Sequence, residues 1–143
     1  MGLDAFYIDT VTLYNRHLDK TSGHEIWFPT LLENVSLVIT NGTNVSNIGK
    51  QDADAAKLLI AINKFPKLYV EPAEWKRLSE ADKEKYMTFT AAEDFYVEGN
   101  TVDVEIKKEG FYEWMRKNHN NVFKISGVTR YKVIMPHLEV GGK

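Results

Sequence analysis

Short β-prone segments, separated by clusters of turn-forming residues, recur along the chain at a spacing of roughly ten residues. β-branched and aromatic residues favour strands, whereas glycine, asparagine and aspartate favour the turns between them. A chain with about seven such strands is typical of a small antiparallel β-barrel or sandwich. The predicted strands cover residues 9–16, 25–40, 55–62, 87–90, 94–97, 102–106, 122–128 and 131–134.

Two hairpins are predicted between these strands. The turn formers of residues 18–23 separate two β-prone runs, and Pro29, which cannot donate to a ladder, indicates a sheet edge or a bulge in the second run. The clearest pattern is the tight-turn sequence of residues 98–100, after which Val102, Val104 and Ile106 alternate with charged residues. We therefore expect a second hairpin in the C-terminal half.

The sequence predicts only short helices. Pro72 stands where a helix would begin, and Ser79 and Asp82 have the spacing of a capping box. Phe111 and Met115 follow Gly110 at helical spacing and predict an amphipathic helix. The predicted fold class is mainly β: a small antiparallel barrel or sandwich with one or two short helices and a long inserted loop.

Composition limits the classes of function. The chain has 143 residues, no cysteine and a net charge of −2, so we predict a single domain, residues 1–143, without disulfides or thiol chemistry. The absence of a basic excess argues against sequence-specific nucleic-acid binding. Asp4 and Asp9 stand where a signal peptide would be basic and then apolar, and no later run is long enough for a membrane span. We expect a protein made in the cytoplasm.

Two polar segments are the candidate interfaces. Residues 41–54 contain few apolar residues and predict a long surface loop, and residues 136–143 predict a polar, glycine-ended tail. Polar segments that become ordered on assembly are a common way to build contacts between protein subunits. The candidate interface residues are Asn41, Asn44, Asn47, Lys50, Gln51, Asp52, Asp54, Pro136, His137, Glu139 and Lys143.

The sequence gives only weak signals for a catalytic or metal-binding site. His17 and His24 flank the first turn and could face each other, but two exposed histidines without a third ligand are usually plain surface residues. Glu93 and Asp94 are adjacent and would point to opposite faces of a strand, so turn chemistry explains them better than acid–base catalysis. No nucleophile elbow, phosphate loop or zinc-protease motif occurs. We predict no enzyme, and no catalytic, cofactor-binding or metal-binding residues.

Four segments together resemble a known family. They are residues 12–15 (TLYN), 27–32 (WFPTLL), 69–75 (YVEPAEW) and, most specific of the four, 136–143 (PHLEVGGK). Their order over nearly the whole chain resembles small structural proteins of tailed phages and prophages of Gram-positive bacteria. Those proteins are often labelled minor capsid proteins, belong to the head–tail joining genes, and are similar to head-closure (stopper) proteins.

The resemblance implies a β-barrel without an active site, assembled as a ring of about six or twelve copies. It implies a virion protein of the neck, a head–tail connector that contacts portal-adaptor and tail proteins and helps to retain packaged DNA. The alternatives are a tail-completion or other neck protein and, from another class, a small ligand-binding or hydrolytic barrel that uses His17, His24 and Glu25.

Overall fold

Six strands close into an antiparallel barrel in the computed structural model, which describes residues 7–40, 54–132 and 136–143. The strand order around the barrel is β1–β2–β3–β8–β7–β6, and pairing of β6 with β1 closes it. The prediction of a mainly β, small antiparallel barrel is confirmed. The strands of the described part are β1 (Asp9–Leu18), β2 (Glu25–Ile39), β3 (Ala56–Ala61), β4 (Leu68–Tyr69), β5 (Tyr86–Met87), β6 (Phe95–Glu98), β7 (Val122–Tyr131) and β8 (His137–Gly142).

The β1–β2 hairpin forms as predicted, with a tight turn between Leu18 and Glu25. Gly23 adopts a φ of 77°, and its N–H donates to Asp19 O over 2.7 Å. The Asp19 carboxylate also accepts from Thr21 N–H and from the Ser22 hydroxyl. β2 continues through Pro29 to Ile39; its residues from Glu25 to Val35 pair with β1, and its last four residues pair with β3.

Apolar side chains fill the barrel interior because alternate residues of every strand point inward. Val11 and Leu13 of β1 meet Leu58 and Ile60 of β3, all of them fully buried. Burial of each such side chain stabilises the fold by about 1.5–3 kcal/mol. The other buried members of this cluster are Leu32, Val35, Ala56, Met87, Phe89, Tyr96, Phe123, Ile125, Leu138 and Val140.

A second cluster lies on the outside of the barrel, under the predicted C-terminal helix. This helix, α3 (Phe111–Asn118), packs Phe111 edge-on against Tyr14 at a ring-centroid distance of 5.2 Å. Tyr14 also stacks on Phe95 at 4.8 Å, and its hydroxyl donates to Thr101 O over 2.9 Å. The outward face of β1 and β6 is therefore covered by α3.

The connection between β3 and β6 packs against the β1–β2 hairpin. It contains a short 3-10 helix (Ile62–Lys64), α1 (Pro72–Lys76) and α2 (Glu80–Lys83), of which α1 and α2 begin as predicted at Pro72 and after Ser79. The Ser79 hydroxyl accepts from Asp82 N–H, as expected for the capping box. Trp75 of α1 is buried and meets Phe28 of β2 edge-on at 5.7 Å.

The predicted hairpin around residues 98–100 is wrong. β6 ends at Glu98, both of its edges are paired, with β1 and with β7, and residues 101–110 form no strand. Side chains of β1 hold this segment instead, because the Thr12 hydroxyl accepts from Thr101 N–H over 2.9 Å. Val104 and Ile106 pack against the outer cluster rather than in a ladder.

Two further predictions near the C-terminus are wrong. The strands predicted at residues 122–128 and 131–134 are not separated by a turn at residues 129–130: β7 runs without interruption from Val122 to Tyr131, with a register shift between Ile125 and Gly127. Residues 136–143 are not a tail, since β8 pairs with both β3 and β7 and buries Leu138 and Val140. Inserting these two apolar side chains into the core fixes the segment in the barrel.

Candidate functional site

The outer face of β2, β3, β8 and β7 is open to solvent. Because Leu58, Ile60, Leu138 and Val140 point inward, their neighbours along the strands point outward. Val38 of β2 is 53% exposed and Tyr131 of β7 is 43% exposed, a large exposure for apolar side chains on a paired sheet. We call this surface the open sheet face; its outward residues are Ser36, Val38, Lys57, Leu59, Ala61, Thr129, Tyr131, His137, Glu139 and Gly141.

A polar groove of about 370 Å³ crosses this face, and three of the predicted interface residues line it: Asp54, Glu139 and Lys143. The Ser126 hydroxyl donates to Asp54 Oδ1 over 2.5 Å, and Lys57 Nζ lies 4.0 Å from Glu139 Oε2. Groups of both signs therefore occur side by side. A groove of this kind suits hydrogen bonds with another polar surface better than it suits an apolar ligand.

Gly141 and Gly142 of β8 lie close to side chains on opposite faces of the sheet. A Cβ on Gly141 would overlap the Asp54 carboxylate and lie 2.8 Å from the Ser126 hydroxyl. A Cβ on Gly142 would lie 2.6 Å from Tyr96 Oη and 2.7 Å from Phe123 Cβ, inside the barrel. Glycine at both positions lets β8 lie close to side chains on its two sides.

His137 and Tyr131 form a flat aromatic surface at the edge of the open sheet face. Their rings stack at a centroid distance of 4.7 Å with an angle of 14° between the planes. Pro136, directly before β8, accepts a hydrogen bond from Ile62 N–H over 3.2 Å. The remaining predicted interface residues, Asn41, Asn44, Asn47, Lys50, Gln51 and Asp52, lie outside the described residues, as does the rest of the predicted loop except Asp54.

The histidines of the first hairpin do not face each other. His17 pairs across the hairpin with Ile26, while His24 lies in the turn with its Nδ1 3.8 Å from Glu109 Oε1. Glu25 accepts from Arg16 Nε over 2.6 Å. Within residues 7–40, 54–132 and 136–143, no group of three or more His, Asp or Glu side chains is arranged to hold a metal ion.

Asp94 is a buried carboxylate whose role the sequence did not reveal. It is 1% exposed and accepts from Arg16 N–H, Thr90 N–H and Asn15 Nδ2 at 2.8–2.9 Å. Burial raises the pKa of Asp94 to about 6, and the three donors only partly oppose this effect. Glu93 lies on the surface and pairs with Lys76 over 3.0 Å, so the two adjacent carboxylates point to different environments as predicted.

A closed antiparallel barrel with a packed interior and an exposed outer face defines a small β-barrel protein. A family model described as a family of unknown function, DUF6751, matches residues 6–143, and the chain belongs to that family. No curated protein matches the chain, and no solved structure matches it. None of the helices in the described ranges has the length and apolar character that crossing a membrane requires.

Proposed function

We propose that this protein is a virion structural protein of the phage neck, a head–tail connector or head-completion (stopper) subunit. In this role, a ring of subunits bridges portal and tail and helps to retain packaged DNA. The observation that carries the proposal is the open sheet face on a barrel whose interior is packed with its own side chains. The resemblance of four sequence segments to phage head–tail joining proteins supports it.

Physical chemistry favours a protein partner for the open sheet face. Val38 and Tyr131 expose apolar surface next to the mixed charges of Lys57 and Glu139. Aromatic anchors beside polar groups are characteristic of protein–protein interfaces. Sites for small molecules are usually lined mainly by apolar side chains, whereas the lining of the groove on this face is mostly polar.

The proposed ring also gives the polar segment a role. Neighbouring copies in a ring make heterologous contacts, in which two different surfaces of the subunit meet. Residues 41–54 join β2 to β3, which are two strands of the open sheet face. We propose this segment as part of the contact between neighbouring subunits.

Complementation of a phage that lacks this gene tests the proposal. Val38→Glu buries a charge in the proposed interface and is expected to lower the yield of particles with joined heads and tails at least 10-fold. Val102→Glu is the matched control, since Val102 is also an exposed valine but lies outside the sheet. The readouts are plaque yield and electron microscopy of the lysate.

Absence of the chain from purified virions would contradict the proposal, as would normal particle yield with Val38→Glu. A cryo-electron map of the neck distinguishes a stopper from a tail-completion protein by the neighbours of the ring. The isolated barrel with either substitution should keep the circular dichroism of the wild type, because both positions are exposed.

A further inference from the structure

We propose that two surfaces of this chain bind each other between copies: a cationic face formed by α3 and β7 and an acidic groove between β2 and α2. The inference rests on the proposed assembly role and names the contact between neighbouring subunits. The cationic face consists of Arg116 of α3 and Lys124 of β7, which flank the Tyr112 ring. The acidic groove consists of Ile26, Pro29, Glu80, Glu84 and Ile106.

The cationic face places two positive groups around one ring. Arg116 Nη1 donates to Tyr112 Oη over 3.1 Å, and Lys124 Nζ lies 4.2 Å from the centre of the Tyr112 ring. Neither cation takes part in an ion pair within the described residues. The Tyr112 ring itself is buried, with 9% of its surface exposed, so the two cations and not the ring are available to a partner. Arginine is one of the residue types that dominate binding hot spots.

The acidic groove has the complementary character. It has a volume of about 620 Å³ and a floor to which Ile26, Trp27, Phe28, Pro29 and Ile106 contribute. Glu80 and Glu84 are exposed at its rim and, in the part of the chain that is described, form no ion pair. The one lysine of the groove, Lys67, donates to Pro29 O over 3.1 Å; burial lowers the pKa of Lys67, and the nearby charge of Glu84 partly opposes this effect.

The occupant binds through side chains and not as an added strand. Pro29 has no N–H and its carbonyl is already bonded to Lys67, so this stretch of β2 is a poor template for a further strand. An apolar floor with two rim carboxylates fits long cationic side chains, whose apolar stems lie on the floor while their charged ends reach the rim. Arg116 and Lys124 of the cationic face are such side chains, which makes a second copy of this chain the occupant that the charges favour.

Charge reversal tests the contact by sedimentation velocity and light scattering. The wild type is expected to associate at low salt and to dissociate at about 1 M salt, where the Debye length falls to about 3 Å. Arg116→Glu with Lys124→Glu, and separately Glu80→Lys with Glu84→Lys, are each expected to weaken association about 100-fold or more. A mixture of the two double variants should associate again, because each restores the opposite charge for the other.

The control is Lys20→Glu with Lys132→Glu, two exposed lysines elsewhere, which changes the net charge by the same amount and should leave association unchanged. The inference is overturned if the wild type stays monomeric, if either double variant associates like the wild type, or if the mixture fails to associate. Failure of the proposed function is a separate result: the wild-type chain would then be missing from purified virions.

Discussion

Asp94 joins β1 to the turn that precedes β6 through one buried carboxyl group. Its oxygens accept from the Arg16 amide and the Asn15 side chain of β1 and from the Thr90 amide of the turn. Because the folded pKa of about 6 lies above the usual 3.8, the folded protein keeps this proton between those values while the unfolded chain loses it. The contribution of Asp94 to stability is therefore largest below about pH 4 and is lost as pH rises through about 6. The two-unit shift corresponds to about 3 kcal/mol.

Replacing Asp94 by asparagine should remove this pH dependence. The side-chain amide of asparagine cannot ionise. From pH 4 to pH 7 the wild type should therefore lose about 3 kcal/mol of unfolding free energy relative to Asp94→Asn. Urea unfolding across this range measures it. The control is Glu33→Gln, which removes an exposed carboxylate of β2. If the unfolding free energies of wild type and Asp94→Asn changed with pH in the same way, Asp94 would have the same pKa in the folded and unfolded states, and the prediction would fail.

Lys83 is a buried ammonium group that completes the end of α1. It is 1% exposed, donates to Lys76 O over 3.3 Å and to Leu78 O, and lies 5.0 Å from the Trp75 ring centre. Lys83→Met keeps the apolar stem but leaves both carbonyls without this donor, so we expect a loss of about 2 kcal/mol. Lys85→Met, at an exposed position, should change stability by less than about 0.5 kcal/mol. Equal thermal midpoints for the two variants would contradict the role of Lys83.

At the scale of elements, the two glycines at the end of β8 differ in what they contact. An added methyl on Gly142 meets Tyr96 and the backbone-anchored Cβ of Phe123, which cannot move away easily. On Gly141 it meets the flexible side chains of Asp54 and Ser126. We expect Gly142→Ala to destabilise by about 2–3 kcal/mol and Gly141→Ala by about 1 kcal/mol, measured by chemical denaturation. Gly127→Ala is the control, since no atom lies within 4 Å of its added methyl; a larger loss at Gly127 would refute the packing explanation.

Elements with local signals were predictable from the sequence, and those decided by distant contacts were not. The first hairpin and α3 formed as expected because turn formers and helical spacing act within a few residues. Residues 101–110 have the alternation of a strand, but β6 had no free edge to pair with them. The ending at 136–143 reads as a polar tail, because only two apolar residues, Leu138 and Val140, mark it as a core strand.

The candidate site was predictable only in part for the same reason. Asp54, Glu139 and Lys143 were candidates from polarity alone, and the structure brings them into one groove. Val38 and Tyr131 were not candidates, since their exposure depends on which face of the sheet the barrel leaves uncovered. That choice depends on strand register: residues 56–59 of β3 pair with β2, residues 56–61 pair with β8, and a shift by one residue would exchange the two faces.

At the scale of the whole molecule, β8 decides whether the barrel closes. It lies between β3 and β7, so its removal leaves two strands with unpaired edges and opens the interior to water. A chain ending at Pro136 is therefore expected to lose cooperative unfolding and to aggregate, whereas a dispensable tail would leave the melting transition unchanged. The control keeps β8 but replaces its outward His137 and Glu139 by serine, which should preserve the fold since the inward Leu138 and Val140 remain. Calorimetry distinguishes the two outcomes: a normal transition in the truncated chain would mean that the remaining strands close the barrel without β8.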